Sequence, residues 1–151
     1  IPAPPPEELD VEHNSDFDMY VTSFEEACQI PADIAIDFTT ELPSKVMGRC
    51  TWFTNQKNER VHQYIRINKE AWSTLGHVER EWLIYHELGH CILELPHLTE
   101  DDEGFHATAS YMVPNLPPFK KPDLALPGQA FISEEIYYER KPELVEELCG
   151  S

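Results

Sequence analysis

The segment from Val78 to Leu95 constrains the fold more than any other part of this 151-residue chain. It is largely apolar and contains no proline, and Pro96 follows it directly. Such a run is long enough for a buried helix of about five turns, which a proline would end. The rest of the chain is therefore expected to pack around this helix.

The predicted helix carries His86 and His90 one turn apart, with Glu87 beside the first histidine. Residues four apart lie on one face of a helix, so both imidazoles can approach one metal ion. Glu87 would lie next to that ion without binding it, where a carboxylate can take a proton from water. Pro96 directs the chain out of the helix just before His97, which lets a third imidazole return to the same point. The pattern predicts a zinc site with three histidine ligands and one open position.

Other residues remain candidates for the third ligand. His106 lies further along the chain and could replace His97, and Glu134 or Glu135 would give a glutamate-liganded site. Glu94 continues the four-residue spacing but is expected to face solvent, because it lies further around the helix. The alternative to a metal site is a pair of packed core histidines, which is unfavourable because buried imidazoles without partners are costly.

Two motifs resemble those of known peptidases. The sequence His-Glu-Leu-Gly-His-Cys at residues 86 to 91, with a later histidine, resembles the zincin metallopeptidases, and Ser-Tyr-Met-Val-Pro at residues 110 to 114 resembles the Met-turn of the metzincin clan. The chain is also similar to small bacterial predicted metallopeptidases, often lipoproteins, over residues 48 to 114. It departs from the metzincin pattern because six residues separate His90 from His97 and the turn glycine is missing.

The resemblance implies an α+β fold and a hydrolytic function. The expected architecture is a zincin-like single domain with a small, mostly antiparallel sheet, an active-site helix, a Met-turn at Met112 and C-terminal helices. The expected activity is zinc-dependent peptide-bond hydrolysis, with zinc-bound water activated by Glu87. Two alternatives stay open: a catalytically silent metal-binding protein in a larger assembly, and a zinc amidase that acts on cell-wall peptides. Tyr111, Tyr137 and Tyr138 are candidate donors to an oxyanion, although aromatic packing is the simpler explanation for each of them.

Apolar periodicity predicts the elements around the central helix. These are a helix over Ser15 to Cys28 with Ser15 as its N-cap, strands over Asp33 to Thr40, Val46 to Thr54 and Val61 to Asn68, a short helix over Lys69 to Gly76, and a helix over Ser133 to Leu148 that is interrupted or restarted at Pro142. The last two strands form a hairpin, and either of them could border the cleft and pair with an extended substrate. The proline-rich segment 115 to 128 is expected to form an extended wall of the cleft.

The four cysteines are predicted to form two disulfides. None of them has the Cys-x-x-Cys spacing of a zinc or redox motif. Cys50 lies on a strand next to the helix that carries Cys91, which favours that pair. Cys28 with Cys149 would then tie the N-terminal helix to the C-terminus. Such bridges indicate an oxidising compartment, so we expect an extracytoplasmic protein, in the periplasm, on the cell surface or secreted.

Charge and length limit the remaining possibilities. A formal net charge of -17 argues against nucleic acid or an anionic membrane as a partner and leaves a peptide or protein substrate. The acidic field could also steer basic peptides toward the cleft. Residues 15–151 are long enough for one domain and contain no transmembrane run. Residues 1–14 are acidic and rich in proline, which is typical of a linker that could tether the domain to an assembly. Removal of an upstream signal or anchor and simple trimming of the chain would each explain a start at Ile1.

Overall fold

A computed structural model describes residues 13–98, 110–113 and 133–150 of the chain. The predicted linker up to residue 12, the alternative ligand His106 and the predicted cleft wall at 115–128 lie outside these residues. The described elements form an α+β fold: α1 (Asp18–Cys28), β1 (Ala35–Thr39), β2 (Gly48–Thr54), β3 (Arg60–Asn68), α2 (Lys69–Thr74), α3 (His77–Cys91) and α4 (Glu134–Cys149).

The three described strands form one mixed sheet in the order β1-β3-β2. β1 runs parallel to β3, with Ile36 opposite Ile65, and β2 runs antiparallel to β3, with Gly48 opposite Ile67. The sequence predicted a mostly antiparallel sheet, and the described sheet is instead mixed. The second strand of the hairpin, β3, lies in the middle of the sheet and pairs with β1 in parallel on its other edge. β3 therefore has both edges paired, and β2 is an edge strand.

Helix α3 crosses the face of this sheet and forms the centre of the core. Ile84, Tyr85 and Leu88 are fully buried, as expected for apolar residues at three- and four-residue spacing. They belong to the same apolar cluster as the buried isoleucines Ile36 and Ile65 of the sheet. The helix predicted by the apolar run is thus present and buried.

Helix α3 ends at Cys91, before the predicted end at Leu95. Glu94 takes a left-handed backbone conformation with φ 55°, and the Leu95 N–H donates to the Gly89 carbonyl at 3.0 Å. This turn reverses the chain before Pro96 is reached. Pro96 is therefore not what ends the helix. The chain has already left the helix at the left-handed turn formed by Glu94.

The N-terminal helix begins differently from its prediction. Ser15–Phe17 form a 3-10 turn, and the Asn14 side chain, not Ser15, caps it by accepting from the Asp16 N–H. The Asn14 N–H also donates to the Ile36 carbonyl at 2.8 Å, so Asn14 already belongs to the fold. Within this region Phe17 is fully buried.

Helix α4 runs without interruption through Pro142. Proline removes one helical donor, and the carbonyl that loses its partner belongs to Tyr138, a residue that is 40% exposed. Ser133 caps the helix by accepting from the Ile136 N–H at 3.2 Å. Lys141 pairs with the buried Glu81 of α3, which fixes α4 against the central helix.

Two disulfides cross-link these elements. Cys50 of β2 is bonded to Cys91 at the end of α3, and Cys28 of α1 is bonded to Cys149 of α4, each with Cα atoms 5.7 Å apart. These are the pairs predicted from the sequence. They are compatible with an oxidising compartment. Among the described residues, no helix is both long and apolar enough to span a bilayer.

Candidate metal centre

Three imidazoles meet at the end of α3. The Nε2 atom of His86 lies 3.2 Å from that of His90 and 3.1 Å from that of His97. The ligand atoms of the three residues all lie within 4.8 Å of one another. The structure thus brings the three histidines predicted as ligands from the sequence together in one cluster.

Backbone carbonyls fix the orientation of the two helix histidines. His86 Nδ1 donates to the Tyr111 carbonyl at 2.6 Å, and His90 Nδ1 donates to the Leu95 carbonyl at 2.7 Å. A carbonyl only accepts, so each Nδ1 carries the proton, and each neutral ring has a lone pair on Nε2. His86 and His90 therefore direct two lone pairs at each other, and no hydrogen bond joins them.

A divalent metal ion fits this arrangement. Burial lowers the pKa of His86 from 6.5 to about 4, in spite of the hydrogen bond to Tyr111, and burial also lowers the pKa values of His90 and His97. Protons are thus disfavoured between the rings. A tetrahedral zinc ion with Zn–N bonds of roughly 2.0–2.1 Å places its nitrogen ligands about 3.3 Å apart. The two separations measured from His86 Nε2, 3.1 Å and 3.2 Å, are close to that value, and all three ligand atoms lie within 4.8 Å of one another.

Glu87 lies beside the histidine cluster and beneath strand β2. It is 4% exposed, and a methyl group added at Gly48 would lie 3.1 Å from its Oε2 atom. Burial raises the pKa of Glu87 to about 8, whereas the Cys50 backbone N–H and the charge of Arg49 lower it. A carboxyl group with this pKa can accept and return a proton near neutral pH.

The short turn at residues 110–113 holds two of the three histidines. The Tyr111 carbonyl binds His86, and the Met112 carbonyl accepts from the Leu98 N–H at 2.9 Å, next to His97. Met112 itself is 2% exposed and packs against Gly89 of α3, where an added methyl group would overlap its sulfur atom. The turn at residues 110–113, predicted to be a Met-turn, therefore packs against α3 at Gly89, between His86 and His90.

Arg60, at the start of β3, binds the backbone of His90, the second histidine of the cluster. Its Nη1 atom donates to the His90 carbonyl at 2.8 Å, and its Nε atom pairs with Glu94 at 3.0 Å. Its guanidinium also stacks on the Trp52 ring, 3.7 Å from the centroid. Arg60 thus links strand β2, the end of α3 and the turn that leads to His97.

The histidines open into a cleft of about 450 Å³. One wall is the segment that leads into and along β2, and the other is the face of α3 with Val113 of the methionine turn. The described residues that line it are Lys45, Val46, Met47, Gly48, Arg49, Cys50, Trp52, Trp82, Leu83, His86, Glu87, His90, His97 and Val113.

Other residues singled out from the sequence lie elsewhere. Glu94 is paired with Arg60 and its side chain is 60% exposed. Glu134 and Glu135 lie exposed in the first turn of α4 and do not belong to the histidine cluster. Among the described residues the cluster consists of His86, His90 and His97, and the alternative His106 lies outside them.

The three candidate tyrosines do not line the described cleft. Tyr111 and Tyr137 are fully or almost fully buried, and their hydroxyl groups are hydrogen-bonded to each other at 2.7 Å. Tyr138 is 40% exposed on α4. Aromatic packing therefore accounts for the first two, and the oxyanion donor remains unassigned among the described side chains.

Two residues that shape the site were not predicted from the sequence. Gly48 provides the space for the Glu87 carboxylate, and Arg60 secures His90. An isolated glycine within a predicted strand is a signal of close approach and could have identified Gly48. Arg60 has no such signal, because its role depends on a contact between residues distant in the sequence.

Comparison of the chain with protein-family models, with curated proteins and with solved structures gives no match. The class of site is therefore defined by its geometry alone: a cluster of three histidines able to hold a metal ion, with a buried carboxylate beside it.

Proposed function

We propose that this protein is a zinc-dependent peptidase that cleaves internal peptide bonds. The observation that carries the proposal is the convergence of three histidine Nε2 atoms beside a carboxylate that is not a ligand. Two of these Nε2 atoms carry a free lone pair, because the Nδ1 atoms of their rings donate to backbone carbonyls. Neutral imidazoles in this number and arrangement are typical of catalytic zinc, which keeps one position open. The acid-base carboxylate distinguishes the arrangement from a purely structural site.

His86, His90 and His97 would hold the ion, and Glu87 would manage protons. A bound zinc ion supplies Lewis acidity, which acidifies water and polarises the carbonyl group of a substrate. Glu87 takes a proton from the attacking water and delivers it to the departing amine. Its burial beneath Gly48 keeps competing solvent away from the carboxylate, and its hydrogen bond from the Cys50 N–H fixes its orientation.

The shape of the cleft supports a polypeptide substrate. The cleft follows the chain from Lys45 to Trp52, along the segment that becomes edge strand β2. The free backbone groups of an edge strand can pair with an extended peptide. Of the two hairpin strands considered from the sequence, only β2 can do so, since both edges of β3 are already paired. A groove along a strand fits a polypeptide better than a small amide.

Substitution of Glu87 tests the proposal. Glu87→Gln keeps the three ligands and the shape of the site but removes the base, so it should bind zinc with wild-type stoichiometry. Loss of general acid-base catalysis should lower kcat/KM on a mixed peptide library by about 10²-fold to 10⁴-fold. His90→Ala is the matched control and should lose both zinc and cleavage.

Metal analysis and cleavage assays on the same preparations provide the readout. Addition of a chelator should abolish wild-type cleavage, and added zinc should restore it. Equal cleavage by wild type and Glu87→Gln would refute the assigned role of Glu87. Stoichiometric zinc with no cleavage in either protein would favour the alternative of a silent metal-binding protein.

A further inference from the structure

We propose that the cleft selects peptides with acidic side chains, and that Lys45 and Arg49 are the residues that select them. The inference rests on the proposed function, because it concerns the substrate class of the same cleft. It also runs against the overall charge of the chain, which by itself would favour basic peptides.

The charge of the described cleft wall is opposite to that of the whole molecule. The chain contains 28 Asp and Glu residues against 11 Lys and Arg residues. The described lining of the cleft, however, contains Lys45 and Arg49 and only one acidic residue, Glu87, which is 4% exposed. An approaching peptide therefore meets two exposed cations and no exposed carboxylate from the described wall.

Neither Lys45 nor Arg49 takes part in the ion pairs that join Arg60 to Glu94 and Lys141 to Glu81 in the described part of the chain. Arg49 acts on the buried Glu87 carboxylate by its charge but forms no ion pair with it. Arg49 lies directly opposite Arg66 in the register between β2 and β3. Two like charges directly opposite each other on neighbouring strands repel and destabilise the pair. A carboxylate beside Arg49 would relieve this repulsion, so the position is suited to an acidic ligand.

Screening limits the effect of acidic residues that lie far from the cleft. At physiological ionic strength the Debye length is about 8 Å, so exposed charges beyond that distance contribute little to binding. A side chain of a peptide aligned along β2 would lie within a few ångströms of Arg49, whichever direction the peptide runs. The charges of the cleft wall therefore determine the preference between peptides, and acidic residues beyond that range act mainly on the rate of encounter at low salt.

Matched peptides test the inference. Quenched fluorescent peptides that differ only by Glu or Gln near the scissile bond are compared by kcat/KM. Wild type should prefer the Glu peptide roughly 3-fold to 5-fold for each cation engaged, as expected for partly exposed charge pairs. Arg49→Gln and Lys45→Gln should each reduce this ratio. Lys69→Gln, an exposed change on α2 outside the cleft, is the control and should leave it unchanged.

A binding measurement separates this inference from the proposed function. Zinc-loaded Glu87→Gln is titrated with the same two peptides and with a matched Lys peptide by fluorescence anisotropy, which requires no turnover, at low and high salt. Tighter binding of the Glu peptide, lost in Arg49→Gln and weakened by salt, supports acidic selection even if the wild type cleaves nothing. Equal binding of both peptides, binding of neither, or preference for a Lys peptide would overturn it.

Discussion

At the scale of single residues, the site depends on where each proton is held. His86 and His90 keep their protons on Nδ1 because backbone carbonyls of Tyr111 and Leu95 accept them. Their Nε2 lone pairs are therefore available to a cation at every pH at which the rings are neutral. Burial extends that range for His86, whose pKa falls to about 4.

Glu87 gives a pH-dependent prediction for the metal-free protein. Its pKa is about 8 in the folded state against 4.5 for an ordinary glutamate, mainly because it is buried. Between these two values the folded protein holds a proton that the unfolded chain releases, so the free energy of unfolding falls as pH rises from 4.5 to 8. Each unit of pKa difference is worth about 1.4 kcal/mol.

Glu87→Gln removes this titration and leaves His86 unchanged. The metal-free variant should therefore be more stable than metal-free wild type above pH 8, by a few kcal/mol, and equal to it near pH 4.5. Denaturant unfolding of chelator-treated proteins across this pH range measures the difference. If the two proteins show the same stability at pH 8.5, Glu87 is not held protonated by burial.

At the scale of elements, the contact between α3 and the turn at residues 110–113 positions His86 and His97, two of the three predicted zinc ligands. Gly89 lies against Met112, Tyr111 binds His86, and Leu98 next to His97 is bonded to the Met112 carbonyl. Displacement of this turn would move two ligands together.

Gly89→Ala tests that contact. Alanine would favour the helix by about 1 kcal/mol, but its methyl group would overlap the Met112 sulfur, and such overpacking costs about 1–3 kcal/mol. We expect net destabilisation and a loss of zinc affinity of about 10-fold to 100-fold, the effect of disturbing a partner of a ligand. Zinc competition with a fluorescent chelator provides the measurement.

The double variant Gly89→Ala/Met112→Ala controls for a general effect of the new methyl group. It removes the overlap, so it should bind zinc more tightly than Gly89→Ala alone. Zinc affinity equal to wild type in the single variant would show that the turn does not position the ligands.

Elements with strong local signals were predictable from the sequence, and those that depend on distant contacts were not. The apolar period of α3 predicted a buried helix with His86, Glu87 and His90 on it, and the hairpin predicted that β2 and β3 pair. The position of β3 between β1 and β2 was not predictable, since a hairpin does not specify the side on which a third strand adds. The early end of α3 was missed because the left-handed turn is made by Glu94, a residue type that gives no turn signal.

At the scale of the whole molecule, two disulfides join the elements that carry the site. Cys50–Cys91 spans 41 residues and links the cleft strand to α3 one residue after His90, whereas Cys28–Cys149 spans 121 residues and links α1 to α4. Chain entropy alone predicts stabilisation of about 4 kcal/mol and about 5 kcal/mol, respectively. The two bridges are similar in energy but differ in their distance from the metal centre.

Separate removal of the bridges should reveal that difference. Cys28→Ala/Cys149→Ala should lower the free energy of unfolding by several kcal/mol and leave zinc affinity unchanged at temperatures where the protein is folded. Cys50→Ala/Cys91→Ala should lower both, because β2, which covers Glu87, is no longer held against α3. Identical zinc affinities in the two folded variants would contradict this assignment. Thermal unfolding and zinc competition on each variant provide the data.

The most direct test of the central claim is a crystal structure of the zinc-loaded protein with anomalous diffraction at the zinc edge. We predict one zinc ion bound by the Nε2 atoms of His86, His90 and His97 at roughly 2.0–2.1 Å, with an open position toward the cleft and Glu87 outside the ligand set. The central claim would be contradicted by coordination through His106 in place of His97, by coordination through Glu87, or by a zinc ion bound elsewhere.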